Sequence, residues 1–247
     1  SNLKNWPDKT IKAHIVNCPP TYWLKYDHET HVRHSEAIRR FLLKNDLVHV
    51  EHRVNDEFEY SEITVIAPDK IGLFSKIASV LALFGVNVVD AKIITLGDGK
   101  VIDSLSFLDG NDKAVTNQKV IKNIINKIEE VLLKNTNLNN EVTKIKKKKR
   151  SKRKEAFPVT SRVILDNNTS SEDTIIEVTG HDRVGLLYDI TSALTSLNLK
   201  ISSAHVTTFG VEAVDNFYVK DKNNEKLRAP EVVAKVKKLV LEAVDKT

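Results

Sequence analysis

An internal repeat constrains the fold of this chain more than any other feature. Two stretches, 63–95 and 176–208, align without a gap at a spacing of 113 residues. Residues shared by the two copies include Val65, Asp69, Gly72, Leu73, Ile77, Ser79, Leu81, Ala91 and Thr95, which recur as Val178, Asp182, Gly185, Leu186, Ile190, Ser192, Leu194, Ala204 and Thr208. Because chance agreement over so long a span is improbable, the repeat predicts two copies of one small domain.

Each copy predicts the same order of secondary structure. A β-rich run, 62–67 or 174–179, precedes a stripe of apolar residues at helical spacing. Gly85 and Asn198 then supply residue types that accept the left-handed backbone that ends a helix. Two more strands and a second helix complete a β-α-β-β-α order, which is typical of a ferredoxin-like fold. We therefore predict an α+β protein of two antiparallel sheets.

The strand after the first helix changes phase at the same place in both copies. The apolar alternation that starts at Val86 resumes one residue out of step at Ala91. Such a shift predicts a β-bulge near Val89 in the first copy and near Ser202 in the second.

Segments outside the repeat complete the predicted organisation. A helix is predicted at Glu29–Lys44, and the fourth strand of the first unit at Val159–Leu165. Residues 135–156 are rich in Asn and Lys, which predicts a solvated insertion. The predicted boundaries are a helical segment at 1–45, a first domain at 46–166 that includes the insertion, and a second domain at 167–247.

Composition excludes two classes of protein. No run approaches the ~20 apolar residues that cross a bilayer, and Cys18, the only cysteine, cannot form an intrachain disulfide. We expect a cytoplasmic protein.

The chain begins Ser1-Asn2 and contains no Met, so we expect a fragment. Nine of the cations behind its net charge of +5 lie within 144–154.

The repeated motifs resemble a known family. Asp-x-x-Gly-Leu, at 69–73 and 182–186, opens the first helix of each unit and resembles ACT domains, regulatory modules that commonly bind amino acids. Residues 182–189 and the motifs Ala213-Val214-Asp215 and Phe217-Tyr218-Val219 are similar to the last ACT domain of the PII uridylyltransferase/uridylyl-removing enzyme family. One departure is that Ile71 and Val184 stand where that family commonly has proline.

The resemblance implies a regulatory region that carries no catalytic site and no cofactor of its own. Residues 1–45 would be the junction from a preceding HD domain, and Mg and UTP would serve a missing catalytic domain. Glutamine would be the effector that shifts the parent enzyme from uridylylating the PII protein towards uridylyl removal. We expect pairing between ACT domains, within one chain or in a homodimer, with the ligand at a domain interface. The alternative is a regulatory ACT module of another amino-acid-responsive enzyme.

The Asp-x-x-Gly loops are the predicted ligand sites. The Asp can cap the helix, the Gly allows a ligand to approach the backbone, and free helix N–H groups attract a carboxylate. The alternative is a well-capped helix whose Gly allows close packing. Asn87 offers a ligand an amide and the equivalent Lys200 does not, so the two sites are predicted to differ. The predicted ligand-binding residues are Asp69, Lys70, Gly72, Leu73, Asn87, Asp182, Arg183, Gly185, Leu186 and Lys200.

Two further patterns favour solvated or packing roles. His28, His31 and His34 recur every three residues, but that spacing spreads them around a helix and no Cys or carboxylate pattern completes a metal site. We predict no metal site, and a packing role for Cys18.

The basic run 144–154 could contact phosphates, but no aromatic residues interleave its charges. We do not expect nucleic-acid binding, and an RNA-binding ferredoxin-like protein is the alternative of a different class.

Overall fold

The computed structural model describes residues 6–55, 57, 59–150 and 159–246, the side chains of 146–150 excepted. The elements are α1 Asp8–Asn17, α2 Pro20–Lys25, α3 His28–Lys44, β1 His49–Asn55, β2 Tyr60–Pro68, α4 Leu73–Phe84, β3 Asn87–Thr95, β4 Lys100–Leu108, α5 Gln118–Lys134, α6 Asn139–Arg150, β5 Arg162–Asp166, β6 Thr174–His181, α7 Leu186–Ser196, β7 Lys200–Phe209, β8 Glu212–Lys220 and α8 Pro230–Val244.

Two four-stranded antiparallel sheets confirm the predicted fold class. Their strand orders are β1-β2-β4-β3 and β5-β6-β8-β7, so the two units have the same topology. Helices α4 and α5 cover one face of the first sheet, and α7 and α8 cover the corresponding face of the second. The repeat in the sequence is therefore a repeat in the fold.

The prediction for the fourth strand of the first unit was wrong. The fourth strand is β1, which precedes the repeat and pairs with β2, whereas residues 162–166 form β5 and pair with β6 of the second sheet. β1 is an edge strand in which only Val50 is buried. Because one face of such a strand meets solvent, its sequence lacks the apolar pattern on which the prediction relied.

The features predicted around the first helix of each unit are confirmed. Gly85 and Asn198 have φ angles of 68° and 55°, in the left-handed region. The pairing of β3 with β4 shifts between Val88 and Asp90, and the pairing of β7 with β8 shifts between Ile201 and Ser203. The bulge therefore occupies the same place in both units.

The predicted insertion is partly packed rather than solvated. Its residues 139–150 form α6, which lies beside α4. Leu138 and Val142 are buried in the apolar core because their i, i+4 spacing places them on one face of the chain. The remainder of the basic run, 151–158, lies outside the described residues.

The first three helices form a third layer on the outer face of the first sheet. Tyr22, Ile38 and Phe41 pack there against Ile66 and Ile102. Strand β4 is consequently buried on both faces between its two ends, whereas its counterpart β8 alternates between buried and partly exposed residues. The predicted helical segment is therefore an integral part of the first domain.

Histidine and aromatic rings fill the contact between this layer and the sheet. His34 is fully buried, with its ring centroid 4.8 Å from that of Tyr26 and its Nε2 atom 3.3 Å from Ser104 Oγ. Burial lowers the pKa of His34 to about 3. Cys18 is buried beside His14. Within the described ranges, no three His, Cys, Asp or Glu side chains are grouped so that they could hold a metal ion.

The buried His34 predicts that the protein loses stability in acid. The folded state keeps this imidazole neutral, whereas the unfolded chain takes up a proton below about pH 6.5. The free energy of unfolding should therefore fall from about pH 6.5 towards pH 3, by on the order of 3 kcal/mol from this residue. Urea unfolding at pH 7, 5 and 4 measures the slope, which the His34→Gln variant should flatten.

The matched control is His28→Gln, because His28 is exposed on the same helix. This variant should keep the wild-type slope. Equal slopes in the wild type and in His34→Gln would contradict the assignment to His34.

Candidate functional site

The two domains pack so that the Asp-x-x-Gly loop of each one faces the other domain. The edge strands β3 and β7 lie side by side, as do helices α4 and α7. The buried apolar residues of both domains form one continuous cluster across this interface. As a result, the ten predicted ligand-binding residues fall into two groups of five, and each group combines residues of both domains.

One cleft, called the Asn87 cleft, combines the second-domain loop with β3 of the first domain. Small apolar residues of the first domain, Ala78, Ala82 and Val86, form one wall. Counting the space open to solvent, the cleft encloses about 380 Å³. The predicted residues that line it are Asn87, Asp182, Arg183, Gly185 and Leu186.

The other cleft, called the Lys200 cleft, combines the first-domain loop with β7 of the second domain. Thr195 and Leu199 of the second domain form its wall, and it encloses about 360 Å³ counted in the same way. The predicted residues that line it are Asp69, Lys70, Gly72, Leu73 and Lys200. Each cleft therefore contains one Asp-x-x-Gly loop and one polar residue from the opposite domain.

The same backbone hydrogen bonds hold the two loops. The N–H of Asp69 donates to the carbonyl of Gly99 at 2.9 Å, and the N–H of Asp182 donates to that of Val211 at 2.8 Å. Gly72 and Gly185, not the aspartates, occupy the N-cap positions of α4 and α7. The prediction that the aspartates cap these helices was therefore wrong, since each lies three residues before the N-cap.

Gly72 has the close-packing role that the sequence analysis gave as the alternative. Its φ of 85° lies in the left-handed region, and an added Cβ would lie 2.9 Å from Cγ2 of Thr195 in the other domain. The glycine thus permits close approach of α7. A role for this glycine in ligand binding stays a prediction.

A hydrogen bond between the domains crosses the Asn87 cleft. Asn87 Nδ2 donates to Asp182 Oδ2 at 2.9 Å. The guanidinium of Arg183 turns towards its own domain, where Nη1 lies 2.7 Å from Asp189 Oδ2 and Nη2 donates to the carbonyl of Ala243 at 2.9 Å. Arg183 therefore links its loop to α7 and α8 of the same domain. Asn87 of the first domain instead contacts Asp182 of the second domain.

An ion pair crosses the Lys200 cleft instead. Lys200 Nζ lies 2.7 Å from Asp69 Oδ2, to which Thr95 Oγ1 also donates at 3.4 Å. Lys70 is exposed at the rim. The two clefts thus share one architecture, and the residue that reaches the loop aspartate from the opposite domain is a lysine in one and an asparagine in the other.

A buried carboxyl group forms part of the floor of each cleft, and sequence reasoning missed both as site residues. Asp103 on β4 is 1% exposed and Asp215 on β8 is 2% exposed. Burial is the main cause that raises the pKa of Asp103 well above its ordinary value, and the negative charge of nearby Asp69 is a smaller cause. Burial is likewise the main cause that raises the pKa of Asp215 to about 7, and the charge of nearby Asp182 adds to it. Both could have been found as acidic residues on the inward face of a central strand.

Comparison with known proteins supports this architecture. A family model described as the ACR family N-terminal ACT domain matches residues 169–245, within the second domain. The bifunctional uridylyltransferase/uridylyl-removing enzyme of Gluconobacter oxydans is 36% identical over 235 residues, covering 95% of this chain and 25% of that protein. The enzyme of the same name from Rhodospirillum rubrum is 35% identical over 245 residues, covering 99% and 26%.

The chain is homologous to these enzymes over nearly its whole length. This confirms the family resemblance noted in the sequence. The enzyme of the same name from Azospirillum brasilense is 36% identical and covers 98% of this chain. The chain spans about a quarter of the length of these curated relatives. The loops and strands that build both clefts lie within the matched region.

One solved structure shows a weaker likeness to this chain. The crystal structure of aspartate kinase from Synechocystis matches 76% of this chain and 28% of its own, with 17% identity and a TM-score of 0.38. So low a TM-score does not establish a shared fold. Among the described helices, none is both long and apolar enough to cross a membrane.

The Gly72 contact predicts a measurable contribution to domain packing. Gly72→Ala and Gly99→Ala both place a side chain at positive φ, but Gly99 has no neighbour within 4 Å. Gly72→Ala should therefore lower the free energy of unfolding by about 1–3 kcal/mol more than Gly99→Ala does. Urea unfolding monitored by circular dichroism measures the difference.

Thr195→Ser removes the clashing methyl group and keeps the hydroxyl that donates to the Thr191 carbonyl. Combined with Gly72→Ala, it should recover most of the lost stability. Equal destabilisation by the two alanine variants, or no recovery in the double variant, would contradict the contact.

Proposed function

We propose that this chain is the glutamine-sensing regulatory region of a bifunctional enzyme that uridylylates and deuridylylates the PII nitrogen-signalling protein. The homology to enzymes of that name supports the parent activity, and the ACT match supports a regulatory role. The transferase and hydrolase activities, with UTP and Mg, belong to the remaining three quarters of such a protein. We place this region in the cytoplasm, where PII would be its partner through the parent enzyme.

The observation that carries the proposal is the construction of each cleft from both domains. A ligand between two domains binds tightly only when those domains are docked in the arrangement that it contacts. Ligand occupancy and domain docking are then linked, so either one shifts the other by the same free energy. An interface of this kind is what an allosteric effector requires.

The Asn87 cleft is the better candidate for glutamine. Asn87 offers an amide in this cleft, whereas the equivalent residue of the other cleft is Lys200, which is paired with Asp69. Gly185 and the first residues of α7 line the Asn87 cleft, and the start of a helix favours a carboxylate, which is where we place the α-carboxylate of the ligand. Asn87 can both donate to and accept from a side-chain amide, which suits glutamine. The wall residues Ala78 and Ala82 are small and apolar, which suits contact with its methylene groups.

A change at this interface can reach the helical layer that precedes the ACT domains. Lys25 of α2 donates through Nζ to Ser203 Oγ, at the bulge of β7. The same layer is packed on the first sheet through Tyr22, Ile38 and Phe41. The layer therefore contacts both domains, and we propose that a change in their docking is transmitted through it to the parent enzyme.

Asn87→Ala should weaken glutamine binding about tenfold, equivalent to about 1.4 kcal/mol. In the free cleft water can replace the lost hydrogen bond, whereas in the filled cleft the ligand amide would be left without its partner. Calorimetric titration of this chain with glutamine measures the change. In the full-length enzyme, the glutamine concentration that half-maximally promotes uridylyl removal should rise by a similar factor.

Asn117→Ala is the control, because Asn117 caps α5 and lies in neither cleft. It should lower stability by about 1 kcal/mol and leave glutamine affinity unchanged. The proposal fails if the wild-type chain does not bind glutamine. Binding that Asn87→Ala leaves unchanged would contradict the choice of cleft.

A further inference from the structure

The two units differ in how far the outer faces of their sheets are covered. The helical layer, α1 to α3, packs on the outer face of the first sheet, where four apolar side chains are at most 3% exposed: Ile66, Ile94, Leu96 and Ile102. The repeat and the strand register give their equivalents in the second unit, Thr179, Thr207, Phe209 and Val214. Thr179 is buried and Val214 partly buried, but Thr207 is exposed and Phe209 is 65% exposed. The position that the layer covers in the first unit is therefore open at the end of β7 in the second.

The tip of the hairpin after this strand shows the same contrast in its backbone. In the first unit α1 ends on the tip, where the N–H of Gly97 donates to the carbonyl of Asn17 at 2.8 Å and the N–H of Asp98 donates to Asn17 Oδ1 at 2.8 Å. A Cβ added to Gly97 would lie 3.3 Å from that Oδ1 atom. A Cβ added to Gly210, the equivalent glycine, would meet no described atom within 4 Å. The first tip therefore holds the end of a helix, and the second tip is open.

The helical layer reaches the margin of this open face. Lys25, the last residue of α2, donates through Nζ to Ser203 Oγ, and Ser203 pairs with Tyr218 on the neighbouring strand. Leu24, which precedes Lys25 on α2, is 88% exposed. An exposed leucine thus adjoins the residue that joins the layer to the second sheet. The interface that covers the first sheet therefore continues up to the edge of the second outer face.

The composition of the open face suits a reversible contact. Its exposed large apolar residues are Ile164, Phe209 and Val211. Polar residues pair across the same face, as Asn216 does with Glu177 and His205. Permanent homodimer interfaces are larger and more apolar, whereas reversible ones are about as polar as other protein surfaces but are enriched in aromatic residues. A tethered partner can use such a surface, because attachment raises its effective concentration to the order of millimolar.

We propose that the outer face of the second sheet, centred on the hairpin tip 209–211, is a docking surface for the part of the parent enzyme that lies outside this chain. This chain spans about a quarter of the homologous enzymes, so they include a body large enough to cover the face. The first unit shows the kind of element that fits, a helix whose last carbonyl groups accept from the tip and whose apolar side chains cover the residue before it. The inference rests on the proposed function for the identity of the parent enzyme and not for its effector.

Two other occupants suit the face less well. A second copy of this chain would have to offer a helix that packs as the helical layer does, but that layer is already in place on its own first sheet. Residues 151–158 lead into β5, which lies at the opposite edge of the second sheet from β7. Both occupants are outcomes that the experiment below distinguishes.

Cysteine labelling of this chain alone and of the full-length enzyme tests the docking surface. Thr207→Cys places a thiol on the open face, and Lys238→Cys places one on α8, where the lysine side chain is 76% exposed on the other side of the sheet. The thiol of Thr207→Cys should react with a maleimide about tenfold more slowly in the full-length enzyme than in the chain alone, whereas that of Lys238→Cys should react equally in both. Burial raises the pKa of the Cys18 thiol to about 12, so Cys18 competes little. Peptide mass spectrometry identifies which cysteine is labelled.

Three results would overturn the proposal. The first is equal labelling of Thr207→Cys in the chain alone and in the full-length enzyme. The second is slow labelling in the chain alone that becomes faster on dilution, which would assign the face to a second copy. The third is slow labelling in the chain alone at every concentration that deletion of residues 151–158 relieves, which would assign the face to that segment.

Phe209→Ser tests the aromatic residue at the centre of the surface. Combined with Thr207→Cys in the full-length enzyme, it should restore the labelling rate to within about twofold of the rate in the chain alone. In the chain alone it should leave the urea midpoint unchanged, whereas Leu96→Ser, at the equivalent position, should lower that midpoint because Leu96 is buried under the helical layer. Labelling of the full-length enzyme that Phe209→Ser does not change would overturn the role of Phe209.

The outcomes separate this inference from the proposed function. If glutamine binds but Thr207→Cys is labelled equally in the chain and in the full-length enzyme, the function stands and the inference fails. If Thr207→Cys is protected in the full-length enzyme but glutamine does not bind, the docking surface stands and the effector is wrong. If the full-length protein protects Thr207→Cys but neither adds nor removes uridylyl groups on PII, the docking surface stands and the proposed function fails.

Discussion

The packing of β3 against β7 is the constraint on which the rest of the structure depends. These edge strands bring the two domains together, and α4 and α7 continue the contact into a single apolar cluster. Asn87 reaches Asp182, and Lys200 reaches Asp69, only across this contact. The clefts are properties of the interface, and a single domain would contain only half of each.

Much of the fold could be predicted from the sequence because packing on one face of a helix or strand leaves a periodic pattern. The repeat, the first helix of each unit and both bulges were predicted in this way and are confirmed. Strand β1 escaped prediction because an edge strand has few buried residues, and α6 because, among its described side chains and the residue before it, only Leu138 and Val142 are buried. Local patterns record what a segment buries, so segments that bury little are missed.

The candidate site was predictable in its loops but not in its assembly. Asp69, Asp182 and their glycines were found because the repeat marks them, yet which strand faces which loop depends on how the edge strands associate. Asp103 and Asp215 were overlooked because their strands were read for apolar residues, although an acid on an inward face is itself informative. For Gly72 the sequence left two roles open, and the packing role depends on the approach of Thr195 from the other domain, which no local pattern shows.

The polar contacts that cross the two clefts are secondary to the apolar packing between the domains. The Lys200–Asp69 ion pair is partly exposed, with 31% and 14% of the two side chains accessible, so it contributes at most about 1 kcal/mol and mainly sets the register of the interface. The continuous apolar cluster supplies most of the association. An effector in the Asn87 cleft need not separate that cluster, because the cleft lies at its margin and combines residues of both domains. The ligand can then favour one docking of the domains without undoing the apolar contact, and the helical layer, which contacts both domains, is placed to respond to that docking.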